Sequence, residues 1–592
     1  MSAPARLLRR HIRALPKLGF SLSVSVSYSS WTSFRFTLKH LQSEAPSGAR
    51  FSTTMDLSKG KVDPAAVHKG EESEHESFFS YTSGRWLYAS RVQLPTYSRY
   101  NEKQRLAERY LRFDVAQLTK AAVDCTGHGP CTSIEKIAEG GASKVFLITM
   151  EDGFEVIAKL PTPIAGPAHY LTASEVATMD FLRAELSLPI PHIYGWNSSV
   201  SLDKNPVGAE YIIMEKVKGV ELSQCWPSLS KKEMFTVIKQ LCEYESRLFT
   251  TTLEQIGGIY YSNSLSPQER GFTLKNRWCI GPTPESSFWH GERQHLQLDR
   301  GPCTPITIVA NVGDTTETYL FSISAREKIW TKEFAKPCYR QLFFCKSNEL
   351  IQPQEHLRLL ELFDKLVPSM AQTEYILRHP DLSLSNVFID PQSKSIVGII
   401  DWQGTRALPT FLHTGYPRMT NNDGKQLSNP LIPPTIPETL DDETRYHYVQ
   451  KLAYHLYTVA TAKFNPTHFQ ALRQKFLPLR RELIRQAGLP WDGELISLQR
   501  ALIDVTEQDQ CPVSFSEEEK QLVQKEGDEW DSACSDLIDL RNMLGIDVQG
   551  WVPNDQFDEV VRANQRLIQA FAEDMNMNRD VIADVWPFRD TQ

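Results

Sequence analysis

The sequence predicts an α+β protein in which a small β-rich part precedes a larger, mainly helical one. Three β-type runs, KVFLITM, FEVIAKL and YIIMEKV, fall between residues 131 and 217, interrupted by one helical insert at 173–184. Beyond residue 228 the apolar positions recur with a helical period, over 230–250, 353–370, 443–463, 467–486, 516–543 and 555–575. The 592 residues are 41% hydrophobic and 23% charged, an ordinary globular balance that excludes collagen, coiled coil, disulfide miniprotein and wholesale disorder. No run of apolar residues is long enough for a membrane-spanning helix.

The N-terminal segment, 1–52, reads as an address. On a helical wheel Arg6, Arg9, Arg10 and Arg13 share one side, and Leu8, Ile12 and Leu15 fall opposite. A Ser-rich, nearly acid-free stretch follows. Arg-rich, Ser-rich and acid-poor is the composition of a mitochondrial transit peptide, whose partner is the import machinery. A disordered basic arm or a membrane-surface helix has similar composition. Residues 53–77 are polar and read as a linker. Aromatics begin with FFSYTSGRWL at 78–87, and a helix is expected over 102–115. A Pro/Gly/Trp-rich region at 260–305 has no sustained period.

The net charge is −8, yet residues 1–55 hold eight Lys or Arg and one acid, which leaves a body near −15. An acidic body repels phosphate backbones and argues against nucleic acid as partner. The ten cysteines include no CxxC pair, so neither a zinc site nor a redox dithiol is indicated.

The sharpest local signal is RHPDLSLSNVFIDPQSKSIVGIIDWQG at 378–404. It reads as a loop from His379 to Asn386, a strand, a turn and a second strand, a hairpin that returns Asp401 toward Asn386. Asp381 can accept a proton, while the Asn386 amide oxygen and the Asp401 carboxylate suit a hard cation; this set fits Mg²⁺-assisted phosphoryl transfer. A helix cap or Asx turn would also use Asp381 and Asn386. Upstream, IAEGGASKVFLITM puts Gly140, Gly141 and Ser143 at a turn between strands, where backbone N–H groups can approach a phosphate or simply close a hairpin. Lys159 lies in an otherwise apolar strand and needs a polar partner. Glu175, on the helical insert, can supply it or face solvent.

Glycine turn, strand lysine, helix glutamate, linker, then HxDxxxxN and a strand-end Asp resemble the protein-kinase-like fold, and more closely the aminoglycoside phosphotransferase family. FFSYTSGRWL, the transit-like head and the DWQ sequence are most similar to the fungal altered inheritance of mitochondria group. The resemblance covers about 131–410. It implies a two-lobe fold, with a β-rich lobe at 131–217, a helical lobe at 218–592 and an extension, 78–130, packed on the core. It implies that Asp381 is catalytic, that Asn386 and Asp401 hold Mg²⁺, and that ATP is bound by Gly140, Gly141, Ser143, Lys159, Glu175 and the linker residues Met214, Glu215 and Lys216.

Departures from the pattern narrow the function. The glycines are adjacent rather than spread, Pro380 stands in the loop where glycine is usual, and Gln403 replaces an acid. No activation-segment signature follows, so an unidentified small hydroxyl compound is expected as acceptor rather than a protein. The acidic stretches 516–521 and 527–536 offer attraction for a cationic acceptor or an ordinary solvated face. Trp278, Trp289 and His290 could line an acceptor pocket or pin an irregular insert. His447 and His455 are too far apart on their helix for a metal pair. The alternative function is a non-catalytic, kinase-shaped scaffold or assembly factor in mitochondria.

Overall fold

The structure is a computed structural model that describes residues 20–23, 37–40, 76–86, 102–296, 298, 315–342, 345–420, 429–436, 441–474, 476–506, 511–547 and 550–588. The transit-peptide reading of 1–52 and the linker reading of 53–77 fall almost wholly outside the described residues. Within them only Phe20–Ser23 and Thr37–His40, an antiparallel pair, and the start of the helical turn Glu76–Phe79 are described. No helix among the described residues is long and apolar enough to cross a membrane.

The protein is α+β. Strands β1 (Cys131–Glu139), β2 (Ser143–Met150), β3 (Glu155–Pro161), β4 (Ile193–Asn197) and β5 (Tyr211–Glu215) form one antiparallel sheet in the order β1-β2-β3-β5-β4. Strand periodicity divides its side chains between two faces. Phe146, Ile148 and Met150 of β2, with Val156, Ala158 and Leu160 of β3, bury against Phe78, Phe113 and helical Leu118 and Ala122. Each of these side chains other than the alanines contributes roughly 1.5–3 kcal/mol. Ile212 and Met214 of β5 belong instead to the main core, with Val176 and Met179 of the helical insert.

The helix expected over 102–115 is two helices, α1 (Glu102–Arg109) and α2 (Val115–Thr126). The break occurs because Asp114 is extended and its carboxylate accepts the Gln117 N–H at 2.9 Å, the geometry of an N-cap. The insert is α3 (Tyr170–Leu186). After β5 the chain passes directly onto a second small sheet. There β6 (Val220–Glu221) pairs with β9 (Val387–Ile389), which pairs with β10 (Ile396–Ile399). Gly219 allows this crossing, since a Cβ there would lie 2.7 Å from Val397 Cγ2 and 2.9 Å from Ile389 O.

The region at 260–305 contains a three-stranded sheet, in which β7 (Gly258–Tyr261) and Thr273–Leu274 flank β8 (Trp278–Gly281). Helix α4 (Lys231–Thr250) packs with α7 (Asp442–Phe464) in the main core. A second core gathers α5 (Thr316–Phe334), α6 (Pro353–Leu366), α9 (Leu477–Ala487) and α10 (Ile496–Thr506). The single helix expected over 467–486 is α8 (Pro466–Leu472) followed by α9, each with proline in its first turn. Proline has no N–H to give a preceding turn, so it starts a helix rather than continuing one. A third core lies between α11 (Glu517–Leu544) and α12 (Asn554–Asp574).

Residues 76–86 strap these parts together. Gly84–Trp86 pairs with β11 (Trp551–Pro553), and Arg85 lies 3.8 Å above the Phe557 ring. On the other side Thr82 N and Ser83 N donate to Glu139 at 2.7 and 3.2 Å. Glu139 also binds buried Lys144, and Lys136 at 3.2 Å, while Lys144 donates to Ser80 O at 2.8 Å. Burial alone would raise the Glu139 carboxyl, but the two lysines outweigh it and hold it below the ordinary glutamate value. Its folded pKa is thus below the unfolded one, so its stabilisation is complete above the unfolded value and is lost as pH falls through the folded one. Glu139→Gln should therefore cost about 3–5 kcal/mol at neutral pH. Denaturant midpoints measured against pH should show this gap closing below about pH 4.3; a gap independent of pH would contradict the assignment.

Candidate active site

Alternation along β3 sends Val156, Ala158 and Leu160 to one face and leaves Lys159 on the other. Its ammonium, nearly inaccessible to solvent, donates to Glu175 Oε1 and to Asp401 Oδ1, each at 2.7 Å. Three elements distant in sequence meet at this one nitrogen. Burial opposes the charge on Lys159, yet the Asp401 and Glu175 carboxylates outweigh it and raise its pKa above the ordinary lysine value. One cation between two carboxylates leaves a negative excess. Burial chiefly, with repulsion from Asp401, pushes the Glu175 carboxyl upward against the pull of Lys159.

Glu175 is held in place by the way α3 begins and packs. Glu210, buried just before β5, accepts the His169 N–H at 2.5 Å and the Thr172 hydroxyl, placing a carboxylate at the positive end of the helix. His169 itself has a positive φ of 68° and anchors its ring to Ser198 Oγ and Ser264 O at 2.8 and 3.0 Å. The far side of α3 rests on β7, where a Cβ on Gly258 would lie 2.7 Å from Ser174 Oγ. Sequence reading found neither Glu210 nor this packing. Trp278 and Trp289 serve the same support: the first is edge-on to Phe181 at 5.4 Å, the second tilts on Tyr170 at 5.2 Å.

The loop from Arg378 to Asn386 is fixed by its own polar groups. The Arg378 guanidinium donates to Glu245 Oε1 at 3.1 Å, to Gly415 O at 2.7 Å and to His413 O. His379 Nδ1 accepts the Asp381 N–H at 3.1 Å, so Nε2 carries the proton given to Ile400 O at 2.9 Å. Burial lowers the His379 pKa and keeps this neutral tautomer. Asn386 Nδ2 donates to Asp381 O at 2.8 Å, leaving its amide oxygen as an acceptor, and Asn386 O accepts the Ile400 N–H at 3.0 Å. Asp401 therefore follows directly on a residue bonded to Asn386, in a left-handed conformation (φ 65°) that costs energy for a non-glycine residue. Asp381 is partly exposed, with Arg418 Nη1 3.7 Å from its carboxylate.

Gly140 and Gly141 form the β1–β2 turn, closed by Gly140 N to Ser143 O at 3.0 Å, and Gly141 faces open space. Ser143 begins β2, buried, opposite Pro161. Met214 is buried between Ile157 and Ile193. Glu215 accepts the His192 N–H at 3.0 Å, and Lys216 pairs with Glu155 at 2.6 Å. His455 packs, its Nδ1–H donating to Pro430 O at 2.9 Å. Acids at 516–521 occupy the first turn of α11, where they offset the helix dipole.

No group of three or more His, Cys, Asp or Glu among the described residues could hold a metal alone. Asn386 and Asp401 supply two oxygen donors, an incomplete shell that suits Mg²⁺ completed by phosphate oxygens and water. A divalent cation there would also offset the negative excess around Lys159. Lys159→Met would leave Glu175 and Asp401 facing each other, and should destabilise the protein by about 3–5 kcal/mol at neutral pH. Part of that loss should return as pH falls and one carboxylate takes a proton; denaturation at neutral and at acid pH checks this, and an equal loss at each would contradict it.

No family model matches the chain. It is 36% identical over 501 residues to the subtelomeric hrmA-associated cluster protein of Aspergillus fumigatus, covering 78% of this chain and 97% of that protein. It is 24% identical over 499 residues to altered inheritance of mitochondria protein 9, mitochondrial, of Saccharomyces cerevisiae, covering 74% and 75%. Among solved structures it is similar to an aminoglycoside phosphotransferase in a ternary complex with streptomycin and ATP, at 14% identity and a TM-score of 0.29 over 66% of this chain and 96% of that one. The chain belongs to the fungal family that includes the subtelomeric hrmA-associated cluster protein and altered inheritance of mitochondria protein 9.

Proposed function

We propose that this protein is a mitochondrial phosphotransferase with a kinase-like pair of lobes, which uses ATP and Mg²⁺ to phosphorylate a hydroxyl of a small molecule. One observation carries the reading: Lys159 is held between Glu175 and Asp401 beside a loop that presents Asp381 and Asn386. Mitochondrial residence rests on the Arg-rich, acid-poor head and on the name of the yeast relative.

In this reading Lys159 binds nucleotide phosphates and Glu175 keeps its ammonium charged and aimed. The turn at Gly140, Gly141 and Ser143 covers the phosphates, and backbone groups from Met214 to Lys216 border the base. Asn386 and Asp401 hold Mg²⁺. Bound there, Mg–ATP would supply the γ-phosphoryl group to the acceptor oxygen, with ADP as the leaving group. Asp381 orients the acceptor hydroxyl and takes its proton. The neutral His379 fixes the loop backbone from which Asp381 projects. Catalysis of this kind is positioning and electrostatics, so the residues need only be held.

A second reading, a kinase-shaped scaffold without turnover, is favoured by the saturation of Lys159 with two carboxylates. The readings separate on Asp381→Asn. ADP release, measured with the low-molecular-weight fraction of a mitochondrial extract, should fall roughly 10²–10⁴-fold in the variant while ATP affinity is kept. ADP release equal in variant and wild type would overturn the catalytic role.

A further inference from the structure

A cavity of about 1020 Å³ opens beside the catalytic loop. Its wall includes His379 and Pro380, which immediately precede Asp381, and Gly404, Thr405 and Arg406, which follow shortly after Asp401. Four arginines line it, Arg378, Arg406, Arg473 and Arg481, and none of its described lining residues is Asp or Glu. In a chain of net charge −8 that is a local inversion.

The four arginines are not equivalent. Arg378 is neutralised from behind by Glu245, and Arg406 by Glu285 at 3.1 Å. Arg481 has no carboxylate partner among the described residues; one Nη donates to Thr414 O, and the Arg378 guanidinium acts on it as a like charge. Burial and that neighbour hold its pKa below the ordinary guanidinium value. Arg473, exposed, has the Phe469 ring 5.6 Å away and no carboxylate partner among the described residues. The wall's histidines add no charge, because burial keeps His379 and His413 neutral with Nε2 given to Ile400 O and Arg406 O. Uncompensated positive charge on a cavity wall is costly unless a ligand supplies acceptors.

We infer that this cavity binds the anionic group, phosphate or carboxylate, of a small hydroxyl compound, with Arg481 and Arg473 as its charged contacts. That the compound is also the phosphate acceptor rests on the phosphotransferase reading; the anion site does not. A cationic acceptor of the aminoglycoside kind would meet repulsion here, and the acidic stretches that might have drawn one do not line the cavity.

The test is calorimetric titration of the full chain, without nucleotide, using four probes: glycerol 3-phosphate, glycerate, uncharged glycerol and cationic choline. Wild type should bind the two anions and neither other probe, with affinity falling as salt rises. Arg481→Gln should weaken anion binding by about tenfold or more, and exposed Arg473→Gln by less. Comparable binding of glycerol or choline, or anion affinity unchanged in both variants, would overturn the site. ATP titrated separately into the same wild-type protein distinguishes the two claims. Anion binding in a protein that ignores ATP keeps the site and sinks the enzyme, whereas ATP binding without anion preference sinks the site alone.

Discussion

The ammonium of Lys159 is the point on which the molecule turns. It joins a strand of the antiparallel sheet, a buried helix and the end of a hairpin some 242 residues further along the chain. A buried cation is costly alone, as are the two carboxylates it meets, so the three elements are stable only together. Much of the surrounding architecture serves that meeting. Glu210 caps the helix, Gly258 lets a small sheet press against it, and Gly219 lets the linker cross the hairpin that delivers Asp401.

How far this was legible in the sequence depended on range. Asp381, Asn386 and Asp401 lie within one loop and hairpin, where local turn chemistry dictates geometry, and a lysine in an apolar strand announces its need for a partner. Helix α5 was hidden because it buries Arg326 and Glu327, paired at 2.7 Å, with Arg293 against the same carboxylate at 2.6 Å. A buried ion network reads as polar surface, and the apolar stripe is lost. The strands of β7 and β8 are four residues each, too short for a period. The break before α2 was missed because the helical pattern on either side of Asp114 masked its capping carboxylate.

Glu139 and Glu210 were invisible for a different reason. Each is an ordinary glutamate whose meaning comes from partners far away in the chain: Thr82 and Ser83 in one case, His169 and Thr172 in the other. The charge of the cavity beside the loop that carries Asp381 was equally out of reach. Total charge reports what surrounds the protein, while the cavity is set by which few arginines face inward and which have their carboxylates behind them. An acidic protein can therefore hold a basic site.

Titration of ATP into the full chain, with and without Mg²⁺ and beside Asp401→Ala, tests the central claim most directly. The account predicts binding that requires the metal in wild type and is lost in the variant, because in the proposed reading Asp401 serves both Lys159 and the cation. Absence of binding at millimolar nucleotide, or metal-independent binding unchanged by the substitution, would contradict it.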